Sequence, residues 1–248
     1  EEVAFETASK VDQALENSGE DAFRKYPLLG VAIAHKDLFL TKGVRTTAGS
    51  KVLESFVPSY SATVVDRLEK AGSILIGKTN CDAWAHGASG ENSDFGPTKN
   101  PWKRQYVPGG SSSGSAASLA ANFSLITTGT DTGGSVRQPA NFCGVVGFKP
   151  TYGAVSRYGV VAMASSLDSV GHFGRCVDDV RRIFEVTRGE DGLDGTVKNS
   201  KFEKPKSKLK IGIPKEYFIE GLHKEVEKAV LQAAQVFINE NIELVDIS

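Results

Sequence analysis

The chain has 248 residues, 40% of them hydrophobic, and its 29 basic residues nearly balance its 30 acidic residues. This length and apolar content suit one large α/β domain with a substantial core. The balanced charge gives no global reason to expect nucleic acid or a membrane surface as a ligand. No apolar run reaches the roughly 18 residues of a membrane-spanning helix, so we expect no membrane partner.

The cysteines and histidines do not form a recognisable ligand pattern. Cys81, Cys143 and Cys176 lie far apart and include no C-x-x-C spacing. An odd number of dispersed cysteines disfavours a disulfide framework and a zinc site, and is typical of a reducing compartment. The four histidines are scattered as well. We therefore predict no metal site.

Predicted strands and helices alternate along most of the chain. Apolar runs predict strands within 28–39, 73–77, 123–129, 208–218 and 242–247. Helical patterns cover 1–19, 61–72, 115–122, 177–189 and 223–241, with Ser61 as a predicted N-cap and Val177 on an apolar face. The charged stretch 190–207 is predicted to be a linker or a surface excursion. Such alternation favours βαβ units and a largely parallel sheet.

The two ends of the chain read as parts of larger elements. The first residues continue a helical pattern that has already begun, and the last residues form a strand with nothing after it. We therefore expect a segment of a longer protein, with a fold that is incomplete at both ends.

Two short motifs match well-known patterns in the wrong context. "GSILIGKT", residues 72–79, fits the P-loop pattern, but its interior residues favour a buried strand rather than a phosphate-binding loop. "GSSSG", residues 110–114, fits the nucleophile elbow of α/β-hydrolases, yet a polar, proline-broken segment precedes it instead of a strand. The elbow would also need a histidine, for which only His172 and His223 follow in the chain.

Two serine-bearing, glycine-rich segments lie close together, in "PGGSSSGS" and "GTDTGGS". In the second, the backbone N–H groups of Thr132, Gly133 and Gly134 could form an oxyanion hole beside Ser135 as the nucleophile. Serine needs a base, and a buried lysine with a lowered pKa is the alternative to histidine. Lys36 ends an apolar strand and could serve, with Ser111 relaying the proton. The alternatives are a tight turn at "TGGS" and an ion pair between Lys36 and Asp37.

At these residues the chain resembles the amidase signature family. Lys36 in "AIAHKDL", Ser111 in "GGSS" and Ser135 in "DTGGS" match the family's Ser–cis-Ser–Lys triad, with the two serines 24 positions apart. The resemblance implies the amidase-signature fold, an α/β architecture whose central twisted sheet is mixed but mostly parallel and is flanked by helices. It implies one domain over residues 1–248, with a catalytic core at about 28–185. Asp131 and Arg137 are candidate substrate-binding residues, although they could equally brace the loop.

Within this family, the chain is most similar to the glutaminase subunits of tRNA-dependent amidotransferases. Segments such as "ENSDFGPTKNPW" and "RQPANFCGVVGFKPTYGAVSRYG" carry this likeness. It implies that the chain hydrolyses glutamine and passes ammonia to a B-type partner subunit, which uses ATP and Mg to convert Glu-tRNA(Gln). A small C- or F-type subunit would complete the complex, and this chain itself would bind no cofactor. Mitochondrial matrix and bacterial cytoplasm both remain open.

The sequence departs from the family pattern at two positions. Ser113 stands where glycine is usual and Gly90 where threonine is common. Because Ser113 lies in the loop of Ser111, we expect a locally altered backbone there. A stand-alone amidase and a serine esterase that depends on His172 remain as alternative functions.

Overall fold

The computed structural model describes residues 2–198, 209–240 and 242–248. The chain divides into two compact units, residues 1–200 and 201–248. The expectation of a single domain over residues 1–248 remains a prediction.

The first unit is organised around a five-stranded mixed sheet. Its strands are β1 (Ala32–Lys36), β2 (Ile74–Thr79), β3 (Ile126–Asp131), β4 (Val146–Phe148) and β5 (Ser169–Gly174). Their order is β2-β1-β3-β5-β4, with β1 parallel to both β2 and β3, and β5 antiparallel to both β3 and β4. Four strands therefore point the same way and only β5 opposes them, which confirms the expected mixed, mostly parallel sheet.

The described residues of this unit form six α-helices, and all but the short α2 and α5 correspond to the predicted helical patterns. They are α1 (Glu2–Ser18), α2 (Asp21–Lys25), α3 (Thr63–Lys70), α4 (Ser113–Ala120), α5 (Arg137–Cys143) and α6 (Val177–Thr187). The main core forms where α3 and α6 pack on β1 and β3, burying Val64, Leu68, Ile183, Ile33 and Ile126. Burial of branched apolar side chains at helical spacing explains why these two segments fold as helices.

Two details of the helix predictions were wrong. The N-cap of α3 is Ala62, which forms no side-chain cap, while the Ser61 hydroxyl accepts a hydrogen bond from the Lys42 N–H at 3.0 Å. The chain turns into α3 one residue later than predicted, so Ser61 serves a neighbouring loop. Val177 is 69% exposed because it lies in the first turn of α6, before the helix reaches the core.

Part of the predicted linker belongs to the first unit. In the stretch 190–198, Asp194 receives a hydrogen bond from Arg157 Nε at 3.0 Å, and Val197 is buried. The stretch 190–198 is thus the predicted surface excursion rather than a linker, because it forms no helix or strand and every residue except Val197 is exposed or half-buried. Residues 199–207 lie outside the described residues.

The second unit is a single βαβ element. β6 (Lys210–Pro214) pairs in parallel with β7 (Glu243–Ile247), and α7 (Lys224–Asn239) connects them. All three elements match the sequence prediction. Across the described parts of both units, no helix is long and apolar enough to cross a membrane.

Candidate active site

The segment that matches the P-loop pattern, residues 72–79, forms a strand, as predicted. Residues 74–79 are β2, and Lys78 Nζ donates hydrogen bonds to the Phe39 carbonyl at 2.7 Å and to Thr46 Oγ1 at 2.9 Å. It also lies 3.0 Å from Asp37 Oδ1 in a largely buried ion pair. Lys78 is thus committed to protein partners rather than to a phosphate cradle.

Lys36 ends β1 inside the protein. Its side chain is completely buried, and Nζ donates to Ser111 Oγ at 2.7 Å and to Thr130 Oγ1 at 2.9 Å. The ion pair between Lys36 and Asp37, considered from the sequence, does not form, since Asp37 pairs with Lys78 instead. β1 brings Lys36 beside β3 because these two strands are parallel neighbours.

The environment of Lys36 favours the neutral amine. Burial lowers the pKa of Lys36 to about 8, because a charged ammonium is poorly solvated inside the protein. Cys81 and the carboxylates of Asp82, Asp131 and Asp168 act in the opposite direction and raise this pKa. The balance leaves Lys36 able to exchange a proton near neutral pH, which a general base requires.

Ser111 follows a cis peptide bond, between Gly110 and Ser111, as the family resemblance implied. A Cβ atom on Gly110 would lie only 2.0 Å from the carboxylate of Asp82, so a larger residue here would require the Asp82 side chain to move. Asp82 is fully buried, and its N–H donates to the Ser111 carbonyl at 3.2 Å. Backbone contacts therefore hold the loop that presents Ser111 to Lys36.

The two serine-bearing segments meet at a backbone hydrogen bond. The N–H of Ser112, next to Ser111, donates to the carbonyl of Ser135 at 3.2 Å. Ser135 itself is buried at 9% exposure, just below the surface. The fold therefore brings the loops of Ser111 and Ser135 together beside Lys36.

The central serine of the elbow-like motif has a structural contact. Ser112 Oγ donates to the Thr130 carbonyl at 3.2 Å and is completely buried. His172, the histidine that an elbow would need, bonds through Nε2 to Thr187 Oγ1 at 2.9 Å. Burial lowers the pKa of His172 to about 3. These contacts do not form a serine–histidine pair.

Asp131 organises the loop that ends at Ser135. Its buried carboxylate accepts hydrogen bonds from the N–H groups of Gly134 (2.8 Å), Val136 (3.0 Å) and Arg137 (3.3 Å) and from the Arg137 guanidinium. These contacts brace the loop. The Gly134 N–H, predicted to belong to an oxyanion hole, is directed to Asp131 in this structure. That Asp131 and Arg137 touch substrate remains a prediction.

Thr132, at the beginning of this loop, has a different carboxylate partner. Its hydroxyl donates to Asp168 Oδ1 at 2.6 Å, whereas Gly133 is exposed. Thr130 and Asp168 both line a cavity of about 230 Å³ beside the loop. Sequence reasoning missed both residues, although Asp168 lies in the "SSLDSVG" segment and Thr130 shares a face of β3 with Thr128.

The two departures from the family pattern touch each other. Gly90 has a φ of +82°, and a Cβ atom there would lie 2.6 Å from the Cβ of Ser113. Ser113 begins α4 and its hydroxyl lies 3.0 Å from Thr98 Oγ1. The side chain at position 113 thus occupies the space that a side chain at position 90 would need.

This mixed sheet, with a buried lysine hydrogen-bonded to a serine that follows a cis peptide bond, is the arrangement expected of the amidase signature family. The chain belongs to the amidase family, whose model matches residues 1–248. It is 49% identical over 252 residues to the A-type subunit of glutamyl-tRNA(Gln) amidotransferase from Koribacter versatilis, covering 99% of this chain and 52% of the relative. The corresponding protein of Lachnoclostridium phytofermentans is 52% identical over 244 residues, which cover 96% of this chain and 49% of the relative.

Solved structures agree with this assignment. The crystal structure of the corresponding glutamyl-tRNA(Gln) amidotransferase protein from Thermotoga maritima matches with a TM-score of 0.84 and 42% identity, over 90% of this chain and 51% of that one. A native peptide amidase from Stenotrophomonas maltophilia matches with a TM-score of 0.85 and 28% identity, over 99% and 52%. The chain thus spans about half the length of the relatives it matches.

Proposed function

We propose that this chain carries the glutaminase centre of a tRNA-dependent amidotransferase. The observation that supports this most directly is the buried contact between Lys36 Nζ and Ser111 Oγ, at 2.7 Å, in a loop bonded to that of Ser135. The choice of glutamine rests on the glutamyl-tRNA(Gln) amidotransferase relatives, which are about half identical to this chain over nearly its whole length.

The proposed chemistry is acyl transfer through Ser135. Neutral Lys36 accepts the proton of Ser111, which accepts the proton of Ser135 as the Ser135 oxygen attacks the side-chain amide carbon of glutamine. Backbone N–H groups of the 132–133 segment stabilise the oxyanion. The C–N bond then breaks, the proton returns from Lys36 through Ser111 to the leaving nitrogen, and ammonia departs. Water hydrolyses the resulting ester to glutamate by the same relay.

The later steps are assigned to partner proteins. We propose that a B-type subunit binds ATP and Mg and converts Glu-tRNA(Gln), and that a small C- or F-type subunit completes the complex. Two observations favour this division: Lys78 is held by Asp37, and the charge of the chain is balanced. Within the described residues, no group of three His, Cys, Asp or Glu side chains could hold a metal ion.

A stand-alone amidase is the second candidate, because the peptide amidase shares this fold over 99% of the chain. An esterase that depends on His172 is disfavoured by the bond of that histidine to Thr187.

The test compares substrates in the assembled complex. We expect ammonia release from glutamine to exceed release from asparagine and from a C-terminal peptide amide, and to disappear in Ser135→Ala. Asp178→Asn, on the exposed surface of α6, is the matched control and should retain activity. A preference for the peptide amide, independent of partner subunits, would instead establish the stand-alone amidase.

A further inference from the structure

Asp168 lies directly opposite Thr132, at the end of the β3–β5 ladder. The last antiparallel pair of this ladder is Asp131 with Ser169, so the next residue on each strand is Thr132 or Asp168. The two leave the sheet together, and the Thr132 hydroxyl donates to Asp168 at 2.6 Å. Strand register therefore sets this contact, although the two residues are 36 positions apart in sequence.

Asp168 also anchors a second segment. Its carboxylate accepts the N–H groups of Met163 at 2.9 Å and of Ala164 at 3.0 Å, and the side chain is nearly buried. Asp168 thus connects the loop after β3 to the turn before β5. A carboxylate with three donors is a rigid anchor, because charge-assisted hydrogen bonds are stronger than neutral ones.

Two buried carboxylates therefore hold the loop 132–135, one at its beginning and the other at its end. Asp131 takes the N–H groups of Gly134, Val136 and Arg137, while Asp168 takes the hydroxyl of Thr132. Neither the Thr132 N–H nor the Gly133 N–H has a hydrogen-bond acceptor among the residues that the structure describes. These two N–H groups are therefore available to bind an anion beside Ser135. Asp168 holds the hydroxyl of Thr132, the residue that carries the first of them.

We propose that Asp168 is a positioning residue for acyl transfer: by holding the Thr132 hydroxyl it aims the N–H groups of Thr132 and Gly133 at the developing oxyanion. This inference rests on the proposed roles of Ser135 and the 132–133 segment. The positioning role differs from a direct effect on the base, because Asp168 accepts its hydrogen bond from Thr132 and not from Lys36.

The two effects of Asp168 can be separated. Its carboxylate also raises the pKa of Lys36, together with Cys81, Asp82 and Asp131, against the lowering by burial. Asp168→Asn removes both the charge and the strong acceptor. Thr132→Val removes only the hydrogen bond and leaves all charges facing Lys36 in place. A pH profile therefore distinguishes the two variants.

The experiment measures the rate at which a fluorophosphonate probe labels Ser135 in the purified protein, by intact mass and peptide mapping. The phosphoryl oxygen of the probe requires the same N–H groups as the oxyanion does. We expect Asp168→Asn and Thr132→Val each to slow labelling by roughly 10- to 100-fold. The labelling rate of the double variant should lie within about threefold of the rate of the slower single variant. Thr132→Ser, which keeps the hydroxyl, should restore labelling to within about threefold of the parent.

The pH midpoint of labelling supplies the second readout. It should move to lower pH in Asp168→Asn and stay unchanged in Thr132→Val. Asp94→Asn is the control, since Asp94 similarly accepts one hydroxyl, from Ser50, and one N–H, from Lys51, in another loop. Full-rate labelling of Thr132→Val, or effects that simply multiply, would overturn the inference.

Failure of the proposed function is distinguishable from failure of this inference. If Ser135 labels and depends on Thr132 while glutamine is not hydrolysed, the inference stands and the substrate assignment fails. If the parent is not labelled at Ser135, both the nucleophile and the positioning role are overturned.

Discussion

Lys36 Nζ lies 2.7 Å from Ser111 Oγ, although 75 residues separate the two in sequence. The contact joins the end of β1 to the loop that precedes α4. It places an amine whose pKa burial lowers to about 8 against a hydroxyl that is completely buried.

Variants of the three proposed catalytic residues should show whether Lys36 acts through its charge or through its ability to accept a proton. Ser135→Ala should abolish glutaminase activity because no acyl-enzyme can form. Lys36→Arg should be nearly as damaging, since arginine keeps the charge but does not release a proton. Ser111→Ala should be milder because water can relay the proton. Steady-state ammonia release measures all three, and combined variants should be non-additive. Substantial activity in Lys36→Arg would refute lysine as the base.

The pH dependence of activity should follow the amine of Lys36. Because its pKa is lowered to about 8, the neutral form increases as pH rises through 8. We expect kcat/KM at pH 7 to be about tenfold below its alkaline plateau. Labelling of Ser135 across pH 6–10 gives the same curve without a partner subunit. A profile that is flat from pH 6.5 to 9 would contradict this role.

Stability should respond to the same shift in pKa. A lysine whose pKa is lower in the folded state than in the unfolded state binds fewer protons when folded between about pH 8 and its ordinary value of 10.5. Stability should therefore rise with pH across that window, and the penalty of burying charged Lys36 applies fully below it. Urea unfolding at pH 7.5 and 9.5 should show a smaller pH effect in Lys36→Met than in the parent protein.

Thr130 is expected to orient the amine of Lys36. It lies 2.9 Å from Nζ, so a neutral amine that donates to Thr130 can direct its lone pair toward Ser111. Thr130→Val should slow Ser135 labelling by about tenfold, whereas Thr130→Ser should retain most of it. Thr127→Val is the matched control, because Thr127 is equally buried in β3 but donates to the Ser115 carbonyl. Equal loss in both valine variants would indicate a general effect on packing.

Gly90 and Ser113 should be energetically coupled. Gly90→Ala introduces a Cβ at a φ of +82° and only 2.6 Å from the Cβ of Ser113, so it should destabilise the fold by about 2 kcal/mol. Ser113→Gly in the same chain should restore about 1 kcal/mol by removing the clash but not the backbone strain. Thermal or urea unfolding of the double-mutant cycle measures the coupling. Simple additivity would show that the loop moves away instead.

Lys78 should not bind a nucleotide phosphate. Because its ammonium is held by Asp37, Phe39 and Thr46, calorimetry of this protein alone should show no binding of Mg-ATP. Lys78→Ala should destabilise the protein by leaving the Asp37 carboxylate without its partner, while the complex still binds ATP. Micromolar binding by the isolated protein that vanishes in Lys78→Ala would revive the P-loop interpretation.

Local patterns in the sequence determined most of the elements, the rejection of the P-loop and the three candidate catalytic residues. They did not predict α2, α5, β4 or β5, which are short or lie outside the recognised apolar runs. Helical and strand periodicity depends on which side chains a short segment must bury, so α3, β2 and α7 could be predicted from their own residues. Lys36, Ser111 and Ser135 were recognisable because glycine-rich segments and an apolar strand ending in lysine are local features.

The tertiary structure alone decided which groups meet. Lys36 was adjacent in sequence to Asp37, yet Asp37 pairs with Lys78 because β1 and β2 run parallel in the register that places Lys36 beside Thr79. Thr130 reaches Lys36 across 94 residues, and Asp168 reaches Thr132 across 36. Such contacts depend on strand order and register, which no single segment encodes. The partners of each buried polar group follow from the whole fold, because a group removed from water must bond with whatever the packing brings within reach.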